Sequence, residues 1–534
     1  MKLRSLVLIV ALSLLSLFAF ADDVHHHDAG ERLGTVSFPT SCAPGVQKSF
    51  ERGVALLYSF EYDEASSQFK DVSDHDGKCA MAYWGQAMSL YHQLWARPGK
   101  DDLKLGTELL DKARTLKPAT ARERDYIEAA AVFYRDSDTL DHPHRTEAYS
   151  AAMGALYQRY PQDREAGVLY ALSLLASGPE RDPGKANDRK AVAILNKLFE
   201  EQPDHPGIAH YIIHACDNPD MASLGLAAAR KYAAIAPSSP HAVHMPSHIF
   251  ARLGLWQNDI NSNLAAIAVA DKMQMHTMHH RMHSMDFLNY AYLQIGDDQN
   301  ARAQADYLIA IKRQDVEGDY RDYYDGMIAD LTARYAIERR QWKEALAIQP
   351  VAGATPGNQA IAWWAHAVAA GHLGDAAAAQ EALKNYEERL EAFKKTAKGY
   401  LAVGLKDEHD EVKAWAALAQ GKTDEAVSLL RAAADDQDKI GKGESELPAR
   451  EMLADMLLEL KRPQEALKEY EVSLKTDPNR FNSLYGAAQA AEGIHQKDKA
   501  AGYYAQLLKN CEGSHSDRPE LERAKTLVAG KTSI

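Results

Sequence analysis

Ten of the 22 histidines of this 534-residue chain fall between residues 205 and 283, where an even spread would place about three. Imidazole titrates near neutral pH and is the commonest side-chain ligand of transition metals, so such a local excess marks a candidate site for metal or proton chemistry. His210, His214 and Asp217 stand at offsets of four and seven, which places them on one face of a helix. Asp204-His205-Pro206 reads as the start of that helix, with Asp204 as the cap and proline in the first turn. Adding 34 to His210 and His214 lands on His244 and His248, so the same pair returns within His241-Ala-Val-His244-Met-Pro-Ser-His248. An irregular stretch holding His276, His279 and His280 follows, and then His283 and Asp286.

Helices packed about 8–10 Å apart can bring imidazoles at matched positions over a common centre. His210, His214, His244 and His248 are then candidate ligands for Zn, Fe, Cu or Ni, with bonds of about 2.0–2.2 Å for a zinc-like ion. Asp217, His241, His283 and Asp286 would complete the sphere, bind a ligand or handle protons. Two other readings stay open, a ligand or peptide groove without metal, and imidazoles that only pack between helices. Tyr211 and Met245 follow His210 and His244, so the His-Glu-x-x-His pattern with its embedded general base is missing. Phosphate-binding glycine loops, the Gly-x-Ser-x-Gly elbow and Cys-x-x-Cys are missing as well. Pro246 is expected to shift or kink the helix that carries His244 and His248.

The elements that must position these residues read as helices. Alternating β-branched runs are scarce, and apolar residues recur at three- and four-residue spacings almost throughout. Ala454, Ala466, Tyr470 and Pro478 define a period, because adding 34 to the first three gives Ala488, Ala500 and Tyr504. Gly53, Ala65 and Phe69 repeat that spacing near the other end. Small residues let two antiparallel helices approach, and the aromatic fills the gap to the next hairpin, so hairpins must stack. These residues resemble tetratricopeptide repeats. The expected fold is an all-α solenoid of antiparallel helix pairs wound into a right-handed superhelix.

The resemblance implies which residues face inward. In that family the positions held here by His210, His214, Asp217, His241, His244, His248, His283 and Asp286 line the concave groove, where a protein or peptide partner binds. The matching positions of the C-terminal units hold Glu451, Asp455, Tyr485 and Gln489, which suggests a second groove for a basic or polar peptide. A longer resemblance, carried by Ser41-Cys42, residues 50–65, Cys79 through Gly85 and His241 through Trp256, is to exported bacterial tetratricopeptide-repeat proteins. It implies fold and export, not a reaction.

With 61 basic against 75 acidic residues the formal charge is −14, so no phosphate-tracking surface for nucleic acid is expected. Lys2 and Arg4, the apolar run to Phe20 and Ala19-Phe20-Ala21 have the layout of a secretory leader cut after Ala21, which places the mature chain in the periplasm or outside the cell. No later segment is long and apolar enough to cross a bilayer. In an oxidising compartment Cys42 and Cys79, which bracket one helical hairpin, become a candidate disulfide, leaving Cys216 and Cys511 unpaired and buried. The expected organisation is leader 1–21, polar tail 22–40, degenerate solenoid 41–400 with a His-rich centre at 205–290, and C-terminal repeats 401–534. The function expected is binding in the His-rich groove, the alternative being a metal-binding protein or metal-dependent enzyme.

Overall fold

The computed structural model describes residues 30–94, 97–176, 184–272, 277–316, 318–396 and 405–529. The expected leader, residues 22–29 of the expected tail and His276 lie outside the described residues. Antiparallel helix pairs follow one another from Gln47–Tyr58 with Tyr62–His75 to Phe481–Gly493 with Lys497–Asn510, and no strand occurs among the described residues. The fold is an all-α solenoid. None of the described helices is long and apolar enough to cross a membrane.

The repeat spacing has a direct physical cause. Ala454 and Ala466 are fully buried where Ala449–Glu459 crosses Pro463–Thr476. Tyr470 lies against Gly486 of the next hairpin so closely that a Cβ there would collide with the phenol ring. Phe69 wedges in the same way between Gly53 and Gly85, and a Cβ on Gly53 would stand 2.8 Å from its ring. A small residue on one hairpin and an aromatic on its neighbour thus fill a gap that neither could close alone.

Three expectations about organisation change. Residues 31–40 are not a polar tail, because Leu33 and Phe38 are buried and the Phe38 ring packs on Phe50, Trp84 and Tyr126 at 5.6, 5.5 and 5.0 Å. Two apolar residues in a polar stretch are enough to fasten it across the first hairpins. Position 400 separates no cores: Val412, Trp415 and Tyr470 share one buried cluster with Ala365 and Val368. Cys42 and Cys79 are disulfide-bonded, with Cα atoms 4.7 Å apart, while Cys216 and Cys511 are free and buried.

The third change concerns the C-terminal repeats, which curl back onto the middle of the chain. Trp256 Nε1 donates to Asn479 O at 2.9 Å, and Asn479 Nδ2 donates to Gly254 O at 3.1 Å. Arg480 is fully buried and donates to Glu338 at 2.6 Å, Glu451 at 2.7 Å and the Tyr290 hydroxyl at 2.5 Å. Arg340 pairs with Asp455 at 2.8 Å, and the Tyr470 hydroxyl also donates to Asp455. Glu451 and Asp455 are therefore not open to a peptide, because the chain's own arginines fill the places a basic ligand would take. Tyr485 and Gln489 remain half-buried beside them.

Replacing Arg480 with Met should leave two buried carboxylates without their cation and lower stability by about 3–5 kcal/mol in urea unfolding. Burial opposes ionisation of Glu451, yet Arg480 holds its pKa below the usual value. A depressed acid stabilises the fold above its unfolded pKa of about 4.3 and loses that contribution as pH falls through the lower folded value. The stability gap between native and Arg480→Met protein should therefore narrow when the same unfolding is repeated below about pH 4.

Candidate metal centre

The helix Pro206–Cys216 begins one residue later than the sequence suggests. Its cap is His205, whose Nδ1 accepts the Ile208 N–H at 3.3 Å, while Nε2 faces the buried Glu165 at 3.3 Å. Asp204 instead offers its carbonyl to the Thr35 N–H at 3.0 Å. The next inward helix is broken at Met245 into Pro240–His244 and Pro246–Arg252, since Pro246 has no N–H to continue the ladder. The third, Thr277–Gln294, carries His279, His280 and His283.

These helices gather the imidazoles into two trios. In the first, His210 Nε2 lies 2.9 Å from His214 Nε2 and 3.0 Å from His241 Nε2. In the second, His244 and His248 face each other Nε2 to Nε2 at 3.1 Å, and the His283 ring is 4.3 Å from that of His244 and 5.7 Å from that of His248. Within each trio the candidate ligand atoms all lie within 4.8 Å of one another. The trios adjoin, with ring centroids 6.4 Å apart for His214 and His248 and 6.5 Å for His241 and His244. The set expected around a single ion, His210, His214, His244 and His248, is thus divided. His241 stands nearly one turn ahead of His244 and reaches the pair on the preceding helix, whereas His244 and His248 turn toward His283.

What fixes the rings is the partner of each Nδ1. His210 Nδ1 meets Tyr58 O at 2.6 Å, and a carbonyl has no proton, so the imidazole donates and its Nε2 is bare when the ring is neutral. His244 Nδ1 meets Asn263 Oδ1 at 2.6 Å. The orientation of that amide follows from Nδ2, which donates to Asp259 O at 3.0 Å and Asp259 Oδ1 at 2.7 Å. His248 Nδ1 donates to two carboxylates, Glu444 at 2.8 Å and Asp217 at 2.9 Å. A carbonyl, an amide oxygen or a carboxylate on Nδ1 is the outer-shell partner found on metal-binding histidines, because it sets the tautomer and aims Nε2 at the metal.

Burial drives the first trio to neutrality. It pulls His210 down to about 3 and His214 and His241 well below the ordinary histidine value. A proton shared among these rings is therefore not what holds three nitrogens together at neutral pH. In the second trio burial lowers His283 to about 3 and His244 well below 6.5. His248 differs: burial opposes its charge, but Glu444 and Asp217 raise it to about 10. Phenylalanine rings close both trios from water, Phe60 at 4.4 Å from His210 and Phe287 at 4.9 Å from His244 and 4.8 Å from His248. Phe60 holds a left-handed backbone, φ 58°, a strained state for a bulky residue at a turn beside the site.

Asp217 faces His248 as the spacing suggests, but Asp286 does not join the histidines. It is taken by Arg334 at 2.7 Å and Ser445 Oγ at 2.7 Å. Sequence reasoning missed Tyr58, Asn263 and Glu444, which come from the first helix, the partner helix Trp256–Ala270 and the loop after Thr423–Ile440. None has a local signal. Glu61 was missed too; it accepts from Ser239 Oγ at 2.6 Å and lies 3.4 Å from His280 Nε2. A cavity of about 590 Å³ lined by Arg122, Arg159 and Arg164 contains none of these residues, and its arginines are paired with Asp163, Asp125 and Glu201.

Residues 412–481 match the tetratricopeptide repeat family model. The chain is similar to a solved structure entitled "Crystal structure of APC/C hetero-tetramer Cut9-Hcn1", at 13% identity over 90% of this chain and 89% of that one, with a TM-score of 0.33. It is also similar to "Crystal Structure of P58(IPK) TPR Domain at 2.5 A", at 14% identity over 92% of this chain and 100% of that one, with a TM-score of 0.20. No curated protein matches it. Residues 412–481 therefore carry tetratricopeptide repeats within a longer all-α solenoid of helix pairs.

Replacing Glu444 with Ala removes the contact that ties the C-terminal loop to His248 and Arg252. Stability should fall by about 1–3 kcal/mol, and amide exchange in residues 441–446 should accelerate relative to the helices on either side.

Proposed function

We propose that this protein binds two transition-metal ions, one in the trio His210, His214 and His241 and one in the trio His244, His248 and His283. The observation that carries this reading is the crowding of three Nε2 atoms at 2.9 and 3.0 Å in the first trio, with the second trio built alike, while the Nδ1 hydrogens of His210, His244 and His248 are committed to buried acceptors. His210 Nε2 has one lone pair and two imidazole neighbours, so a hydrogen bond can satisfy only one of them. Bonds of about 2.0–2.1 Å meeting at right to tetrahedral angles put ligand nitrogens about 2.9–3.4 Å apart, which matches His210 with His214, His210 with His241 and His244 with His248. All-imidazole sets suit Zn, Cu, Ni or Fe, and three protein ligands leave a coordination position for water or a small ligand.

Asp217 and Glu444 would act through His248, and Asp259 through Asn263, as outer-shell groups that orient ligands. Export belongs to the same reading: the Cys42–Cys79 bond and the leader-like layout of residues 1–21 support an oxidising compartment. A protein partner would dock on the repeats outside the His-rich centre, because the returning Glu444 loop covers part of that centre.

Elemental analysis of protein prepared without a histidine tag and dialysed against Zn, Cu or Ni should find two ions per chain. His210→Ala and His244→Ala should each retain one, and the double variant none. A native protein that holds no ion, or variants that keep both, would end this reading. Asn263→Leu should weaken only the second site, by about 10–100-fold, in competition with a chelator of known affinity.

A further inference from the structure

The connection between the helices Lys100–Thr115 and Ala121–Tyr134 carries charge of the opposite sign to the chain as a whole. Residues 112–124 hold five basic side chains and one acidic one, in a protein whose formal charge is −14. The acid does not offset them. Glu123 is buried, and its carboxylate accepts from Ser41 N at 2.6 Å, Ser41 Oγ at 2.7 Å and Thr120 Oγ1 at 2.8 Å. Two of the cations are paired, Arg114 with Asp111 at 2.8 Å and Glu128 at 2.7 Å, and Arg122 with Asp163 at 2.5 Å. Lys112, Lys117 and Arg124 are exposed and meet no carboxylate within ion-pair distance among the described residues.

Arg124 sets this edge apart from an ordinary solvated one. Lys112 and Lys117 stand at the C-terminal end of their helix, where cations complement the helix dipole. Arg124 instead occupies the first turn of the next helix, the end that disfavours positive charge. Its Nη1 donates to Pro118 O at 2.8 Å, a main-chain bond that holds the guanidinium in place and leaves Nε and Nη2 without a hydrogen bond among the described residues. Arg124 lines a cavity of about 590 Å³ together with Lys117, Arg114, Glu128 and the buried Pro118 and Ile127. Glu128 is engaged there by Arg114. Two unpaired cations thus share an open space with an apolar wall.

We propose that this cavity docks an acidic segment of a partner protein, with carboxylates on Arg124 and Lys117 and an aliphatic side chain against Pro118 and Ile127. A guanidinium already fixed by a main-chain bond loses little freedom on pairing with a planar carboxylate. The basic edge steers an acidic segment toward the cavity, while the negative charge of the chain as a whole repels it from other landing places. A concave site of this volume admits side chains, which a flat anionic membrane does not supply. The cavity contains none of the trio histidines and is independent of metal. It gives the protein partner of the preceding reading a place and a chemistry, and rests on that part of it.

Fluorescence anisotropy of the full chain with a labelled peptide Asp-Glu-Leu-Glu-Asp tests the assignment. The peptide should bind in about 20 mM salt and weaken several-fold in about 200 mM, because exposed charges are screened. Replacing its leucine with glycine should weaken it several-fold, and Asn-Gln-Leu-Gln-Asn should not bind. Lys117→Glu with Arg124→Glu should weaken binding about tenfold or more. Lys272→Glu with Lys475→Glu makes the same change of net charge on exposed residues elsewhere and should leave binding within about twofold of native. All four positions are on the surface, so the unfolding temperature should stay unchanged. Binding that survives Lys117→Glu with Arg124→Glu, or that both double variants weaken equally, overturns the assignment of this cavity alone. No binding at low salt removes the acidic partner as well, and so does capture of phosphatidylglycerol vesicles through Lys117 and Arg124 without peptide binding.

Discussion

At the centre of the solenoid a buried acceptor takes the one N–H of a neutral imidazole and so decides where its lone pair points. Tyr58 O does this for His210 and Asn263 Oδ1 for His244, while Glu444 and Asp217 fix the ring of a His248 that they hold protonated. Without these partners the rings could rotate or change tautomer, and crowding them together would gain nothing. With them, Nε2 atoms are held face to face in a setting too dry for protonation to relieve the contact at His210, His214 and His241. The second trio carries a built-in alternative, since its two carboxylates let His248 stay charged when no cation is present.

Two of the acceptors, Tyr58 and Glu444, come from distant parts of the chain, which links the site to the closure of the superhelix. Tyr58 ends the first helix, and Glu444 lies 196 residues beyond His248. Arg480, buried among Glu338, Glu451 and Tyr290, and Trp256 on Asn479 hold the C-terminal repeats against the middle so that the Glu444 loop reaches its place. A solenoid in which each repeat touched only its neighbours would leave His248 with Asp217 alone and without Glu444.

Helix periodicity and the 34-residue spacing follow from near-neighbour contacts, so they are visible in the chain itself: Phe69 needs Gly53 and Gly85, and Tyr470 needs Gly486, at fixed separations. The excess of histidine at 205–283 and the shared face of His210 and His214 are local in the same sense. Asp217 was legible for that reason, whereas Asp286 was not, because its partner Arg334 comes from another helix. The C-terminal acidic positions were legible as inward-facing but not as already paired with Arg340 and Arg480.

The amino-acid sequence by itself determined the helical class, the stacking of hairpins and the concentration of imidazole on inward faces, since each depends on residues within about one repeat of each other. Only the tertiary structure decided that the histidines divide into two trios and that Tyr58, Asn263 and Glu444 aim them. Those outcomes depend on rotation and rise summed over many hairpins, and on the break at Pro246. Small differences at each step there accumulate into which distant side chains finally touch.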